Sequence, residues 1–170
     1  IPYNPSDRVE LPKKQKYQGA KAFSPEQLQE ILALFQGDPI EAVVQLAVSY
    51  GMRRSEICGL RWEAVDFAAG TISVCHTAVK NEGEIIFSDH TKTATSRRCL
   101  PLMDSVRSYL LKVHRQQEEY KAMFGKEYVS SGYVCTKPDR TPFDPDFVTH
   151  HFQRVVKAHG LPCRFHDLRH

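Results

Sequence analysis

Apolar positions recur along this 170-residue chain with a helical spacing, then a strand-like one, then a helical one again. Ser24-Pro25-Glu26-Gln27 reads as a helix start: serine as N-cap, proline at the first helical position, glutamine closing a capping box. Leu28, Ile31, Leu32 and Phe35 then share one face, and Gly37 ends the predicted helix. Asp38-Pro39 starts a second, apolar at Ile40, Val43, Val44, Ala47 and Val48 and stopping at Gly51. Ser55 is the expected cap of a third, short helix carrying Ile57, Leu60 and Trp62. From Thr71 to Val79 the chain is β-branched and partly alternating, Asn81-Glu82-Gly83 is a turn signal, and Glu84 to Phe87 is the expected hairpin return. A further run, Arg98 to Leu102, completes a predicted three-stranded antiparallel sheet. Asp104 opens a long helix to about Met123, with Val106, Leu110, Val113, Gln117 and Tyr120 on one side. Asp144-Pro145 caps another, with Phe147, Val148, Phe152, Val155 and Val156 facing inward and Gly160 closing it. The expected class is α+β, mainly α.

Residues 1–22 break this pattern. They are rich in Pro, Lys and Gln without any period, and are expected to be an extended basic linker arriving from something upstream, with 23–170 forming one domain. A disordered tail and a basic strap on a polyanion are both open readings of that segment. The chain lacks an initiator Met, so its first residue is expected to be a cut edge.

Composition narrows the class. With 41% hydrophobic and 25% charged residues the chain is an ordinary globular sequence. No apolar run approaches the roughly 18 residues of a membrane span, and the first residues carry no signal-peptide pattern. Five widely spaced cysteines without a C-x-x-C pair argue against a disulfide framework or zinc ribbon and fit a reducing cytoplasm. The net charge of +3 permits nucleic-acid binding without demanding it. Its placement is uneven: Lys13, Lys14 and Lys16, then Arg53 and Arg54, Arg97 and Arg98, and finally Arg164 and Arg169.

Two segments carry the candidate chemistry, G-M-R-R-S-E-I-C-G-L-R-W (Gly51 to Trp62) and F-H-D-L-R-H (Phe165 to His170), with Thr91-Lys92-Thr93 between them. Attack on a DNA phosphate without a metal builds negative charge on the non-bridging oxygens, which planar guanidiniums contact at two points. Arg53 and Arg169 meet that need. Lys92 is placed to protonate a leaving 5′-oxygen, and His166 to take a proton from the attacking hydroxyl or hold the phosphate. Glu56, three residues after Arg53, reads as an anchor that orients it. Lys13, Lys14, Lys16, Arg54, Thr91, Thr93, Arg97 and Arg98 are further candidate DNA contacts.

In their order these motifs resemble the catalytic domain of the tyrosine recombinases, the phage and transposon integrase family. Leu46 to Phe67 is similar to the family's first arginine box, including Gly51 and the Leu60-x-Trp62-x-x-Val65-Asp66 tail. Thr91-Lys92-Thr93 ahead of Leu100-Pro101-Leu102 resembles its β-hairpin lysine and following strand, and His166-Asp167-Leu168-Arg169 its H-x-L-R box. Asn4-Pro5 and Leu11-Pro12-Lys13-Lys14 resemble its interdomain linker. The resemblance implies a DNA breaking-rejoining fold and cofactor-free, metal-independent cleavage through a 3′-phosphotyrosine. Its implied partner is double-stranded DNA, on which four protomers assemble, with no membrane. It also implies a nucleophilic tyrosine beyond Arg169. Tyr3, Tyr17, Tyr50, Tyr109, Tyr120, Tyr128 and Tyr133 all precede that box, so the nucleophile is expected to be missing from this chain and the chain by itself to be inactive.

Two other readings stay open. His166 and His170 have the i, i+4 spacing of a zinc-binding helix, with Asp167 in the place of the usual glutamate, which would suit a metallohydrolase. A DNA-binding relic of the same fold, without catalysis, is the non-enzymatic alternative.

Overall fold

The structure is a computed structural model and describes residues 22–88, 97–125, 128, 131–137 and 139–169. Three helices come first, α1 (Pro25–Leu34), α2 (Glu41–Tyr50) and α3 (Arg54–Cys58). Five strands follow: β1 (Val65–Asp66), β2 (Thr71–Val74), β3 (Thr77–Asn81), β4 (Glu84–Ser88) and β5 (Arg98–Pro101). Two longer helices, α4 (Asp104–Phe124) and α5 (Pro145–Ala158), and a 3-10 helix (Phe165–Arg169) complete it.

The helix starts follow local chemistry. Ser24 Oγ accepts from the Gln27 amide at 3.3 Å and Gln27 Oε1 accepts from the Ser24 amide at 2.9 Å, the capping box expected of that tetrapeptide. Asp38 acts from just outside α2, its carboxylate accepting from the Ile40 amide at 2.9 Å. Asp144 caps α5 through the Asp146 amide at 2.8 Å. The start of α3 differs from expectation. Its N-cap is Arg53, not Ser55, and the arginine has no acceptor to offer; the Glu56 carboxylate supplies the cap by accepting from the Arg53 amide at 2.8 Å. That helix also stops at Cys58, and Trp62 begins a separate 3-10 turn.

The strands also sort differently. The predicted single run from Thr71 to Val79 is two strands. β2 pairs antiparallel with β5 (Ile72 opposite Leu100) and with the short β1 (Val65 opposite Ile72), giving a three-stranded sheet ordered β1-β2-β5. After Cys75-His76, β3 and β4 form a separate two-stranded hairpin. The hairpin leaves the sheet to lie across α3: a Cβ on Gly59 would come within 2.6 Å of the Thr77 backbone, so that helix end and β3 touch main chain to main chain. Ala78 is buried in that contact zone, whereas Val79 and Ile86 further along the hairpin are exposed.

The core sits where α2 meets α1, α3 and the Phe165–Arg169 turn, with α5 packed on α3 and that turn. Val43, Val44, Leu46 and Ala47 of α2 are fully buried, and Phe35 stacks on Phe152 with ring centroids 5.1 Å apart. Phe165 meets Phe152 edge-on at 5.4 Å, which docks the 3-10 helix onto the same core. Large side chains buried this way each contribute roughly 2 to 3 kcal/mol. Only the first half of α4 joins this core, through Val106 and Leu110; the predicted face fades beyond it, and Tyr120 is exposed.

Candidate functional site

Glu56 is the one charged side chain buried among the described residues, 2% exposed. A carboxylate placed there must be paired, because unpaired burial costs several kcal/mol. Four donors surround it. Arg53 gives its backbone amide (2.8 Å to Oε2) and its Nη1 (3.0 Å to Oε1). Arg98, from the first residue of β5, lies side-on with Nη1 2.9 Å from Oε1 and Nη2 2.8 Å from Oε2. Burial alone would raise the Glu56 carboxyl; the hydrogen bonds from Arg98 and from both groups of Arg53 outweigh it and hold the carboxyl at about 2. Glu56 is ionised at all physiological pH, and the Arg53 side chain stands above it, 53% exposed.

The second box is assembled by packing. Phe165 and Leu168 are buried, which turns His166 outward and leaves Arg169 half-buried between core and solvent. Gly51, left-handed at φ +56°, ends α2 against this turn, and a Cβ there would lie 3.7 Å from the Arg169 Cα. Arg164 clamps the start of the turn: its amide and its Nη2 donate to the two Asp167 oxygens at 2.8 Å, holding that carboxyl below its usual range. Both Asp167 oxygens are occupied by Arg164, and among the described residues no three His, Cys, Asp or Glu side chains gather as a metal site would require.

The boxes meet at Arg169. Its own burial, then the positive charges of Arg53 and Arg98, lower its pKa, with Glu56 partly offsetting them. Three guanidiniums and one carboxylate within electrostatic reach of one another leave two positive charges in excess. Arg169 also lines a cleft of about 360 Å³ with Met52, Thr149, Gln153 and His166. Such a group favours a dianionic or transition-state phosphate, which guanidiniums contact without losing protons.

The other candidates divide. Arg54, expected at DNA, is turned inward: Nη1 donates to the Pro145 carbonyl at 2.9 Å and to Thr149 Oγ1, tying α3 to the start of α5. Arg98, also expected at DNA, is committed to Glu56, a partner 42 positions away that no local motif signals. Arg97 is exposed beside it. Lys13, Lys14, Lys16, Thr91, Lys92, Thr93 and His170 lie outside the described residues. The described strands before and after residues 91–93, β4 and β5, belong to different sheets.

The sequence profile of the phage integrase family matches residues 21–170, nearly the whole chain. The chain belongs to the phage integrase family. Among characterised relatives of this family member is a XerC-like tyrosine recombinase of Caldanaerobacter subterraneus subsp. tengcongensis, 26% identical over 182 residues, spanning 100% of this chain and 45% of that protein. Among solved structures, the Tn1549 transposon integrase in complex with transposon right end DNA superposes with a TM-score of 0.74 at 22% identity, over 99% of this chain and 55% of that one. The lambda integrase catalytic core gives 0.57 at 20% identity, over 87% and 78%. These likenesses establish the integrase catalytic-domain fold. The chain spans about half the length of the XerC-like relative and of the Tn1549 integrase. No helix among the described residues is long and apolar enough to cross a membrane.

Proposed function

We propose that the protein carrying this chain is a site-specific DNA recombinase that cuts and rejoins strands without a metal, through a 3′-phosphotyrosine. The observation that carries this reading is the pairing of Arg53 and Arg98 with one buried carboxylate, with Arg169 within electrostatic reach of all three and lining a cleft with His166. Arg53 and Arg169 hold the scissile phosphate and stabilise the charge of the transition state, and His166 handles the proton of the attacking hydroxyl. Lys92 protonates the departing 5′-oxygen. In this reading the attacking hydroxyl is that of a tyrosine. Among the described tyrosines, Tyr50 bridges the Pro101 carbonyl and the Met103 amide at 3.0 Å, and burial raises the Tyr109 phenol, so neither suits attack. Double-stranded DNA is the partner, four protomers assemble on it, and integration or excision of a mobile element is the outcome. Five widely spaced cysteines without a C-x-x-C pair fit action in the cytoplasm.

The test is trapping on a nicked DNA substrate by the whole protein in the presence of a chelator. A covalent protein–DNA adduct is expected, and Lys92→Ala should slow it far less when the 5′-bridging oxygen is replaced by sulfur, because a thiolate leaves without a proton. Absence of the adduct, or its dependence on a divalent metal, would sink the reading.

A further inference from the structure

Arg98 holds Glu56 in a way that leaves Arg53 only part of the carboxylate. The two Arg98 nitrogens lie 2.9 and 2.8 Å from the two oxygens, a side-on, two-point pairing. Arg53 reaches the same group with one guanidinium nitrogen, Nη1, and with its backbone amide. A carboxylate offers one side-on edge of this kind to one guanidinium. If Arg98 did not occupy it, Arg53 would be the nearest candidate to take it, and a guanidinium forked onto Glu56 would lose a two-nitrogen edge that a phosphate needs.

We propose that Arg98 is a positioning residue that, by occupying the side-on edge of Glu56, keeps Arg53 singly bonded and its guanidinium open toward the scissile phosphate. The proposal rests on the recombinase reading above. It also accounts for a second feature of the site. A lone Arg53–Glu56 pair would be close to neutral, whereas with Arg98 bound the carboxylate is already matched, and the charges of Arg53 and Arg169 remain for the substrate. Arg98 stands at the start of β5, Arg53 is the N-cap of α3 and Glu56 lies within it. The open state of Arg53 thus depends on strand and helix being in register with one another.

Two variants of the whole protein test this, read by single-turnover adduct formation, DNA affinity and thermal unfolding. Arg98→Gln should slow adduct formation about 100-fold, comparable with losing one preorganised donor, while DNA affinity changes by no more than about threefold. The double variant Arg98→Gln with Glu56→Gln is the discriminating arm. Glutamine at position 56 still accepts from the Arg53 amide as a capping box does, but carries no charge for Arg53 to fork onto. Adduct formation should therefore recover to within about tenfold of the unsubstituted protein. A residue that merely ties β5 to α3 predicts the opposite, since removing the second partner cannot repair a lost tether. A double variant as slow as Arg98→Gln, or an Arg98→Gln protein of undiminished rate, overturns the proposal. If Arg98→Gln does not fold, Arg98→Lys keeps the charge without the fork and is read by the same criterion: rescue by Glu56→Gln supports the proposal and its absence overturns it. An unsubstituted protein that forms no adduct defeats the recombinase reading itself, and the role of Arg98 with it.

Discussion

Arg53 and Arg169 enter one electrostatic group, yet the chain secures them by opposite means. Arg53 is fixed from beneath, by a buried carboxylate that two arginines share, while most of its own side chain faces solvent. Arg169 is fixed by what flanks it: Phe165 and Leu168 in the core, the turn of Gly51 against its backbone, and an exposed Arg164–Asp167 clamp at the start of its turn. The first arrangement leaves a guanidinium reach and rotation but gives it a defined root. The second gives the backbone a defined place and leaves the side chain half-desolvated among like charges. In the proposed reading, a phosphate entering between them would relieve repulsion at Arg169 and gain a contact from Arg53, so both arrangements would favour the bound state for different reasons.

The largest effect expected of breaking this comparison is catalytic. Arg53→Lys keeps the charge above Glu56 but cannot make a two-point contact, so adduct formation by the whole protein should fall about 1,000-fold with DNA affinity nearly unchanged. A lysine that cleaves within about tenfold of arginine would mean that charge alone, and not guanidinium geometry, is what the site requires.

Next in size is the acid stability of the first box. Glu56 is held at about 2 against an ordinary 4.5, a depressed carboxyl. Its contribution is fully present above the unfolded value and is lost as pH falls from about 4.5 toward 2, amounting to on the order of 3 kcal/mol. Other depressed carboxyls, Asp144 and Asp167 among them, act over an overlapping range, so the measurement is the difference between the protein and its Glu56→Gln variant. Urea midpoints of the two should converge as pH drops through that window. Parallel curves would show that the Arg98 and Arg53 bonds do little for the fold.

The legibility of the molecule follows the same division between near and far. The Ser24–Gln27 capping box, the Gly51 stop and the apolar faces of α1 and α2 are local devices that the chain spells out within four or five residues, whereas Phe147, expected to face inward from α5, is exposed. Arg53 with Glu56, and His166 with Arg169, lie three apart and are readable for the same reason. Arg98 with Glu56, and Arg54 with the α5 start, depend on strand register and helix docking across 42 and more than 90 positions. Nothing in an arginine's neighbours tells whether its guanidinium will face a phosphate or a protein carbonyl. The sheets fail to be legible for a similar reason: the β-branched run from Thr71 to Val79 carries one strand signal, and only the close approach of Gly59 to Thr77 reveals why it must divide.

Two glycines bring the comparison down to single methyl groups, and here the expected effects are smallest. Both lie in the first box, but Gly59 backs onto β3 while Gly51 abuts the second box. At Gly59 a Cβ would lie 2.6 Å from both the Cα and the carbonyl carbon of Thr77, main-chain atoms that cannot swing aside. Gly59→Ala should therefore push β3 off α3 and lower stability by about 2 to 3 kcal/mol, the usual range for overpacking. At Gly51 the nearest atoms, Arg169 Cα and carbonyl oxygen, are 3.7 and 3.8 Å away, ordinary contact distances. There the penalty is conformational, since φ of +56° is left-handed, and Gly51→Ala should lower stability by only about 1 to 2 kcal/mol. The functional consequences should run the other way. A Cβ at Gly59 would meet only Thr77 and Ala78 of β3, whereas relaxation at Gly51 moves the backbone that presents Arg169. Urea unfolding and single-turnover cleavage on both variants separate the two: Gly59→Ala should be the less stable and Gly51→Ala the more impaired per unit of stability lost. A Gly51→Ala protein with full cleavage rate would mean that Arg169 is placed by Phe165 and Leu168 alone, and that the turn of α2 against it is incidental.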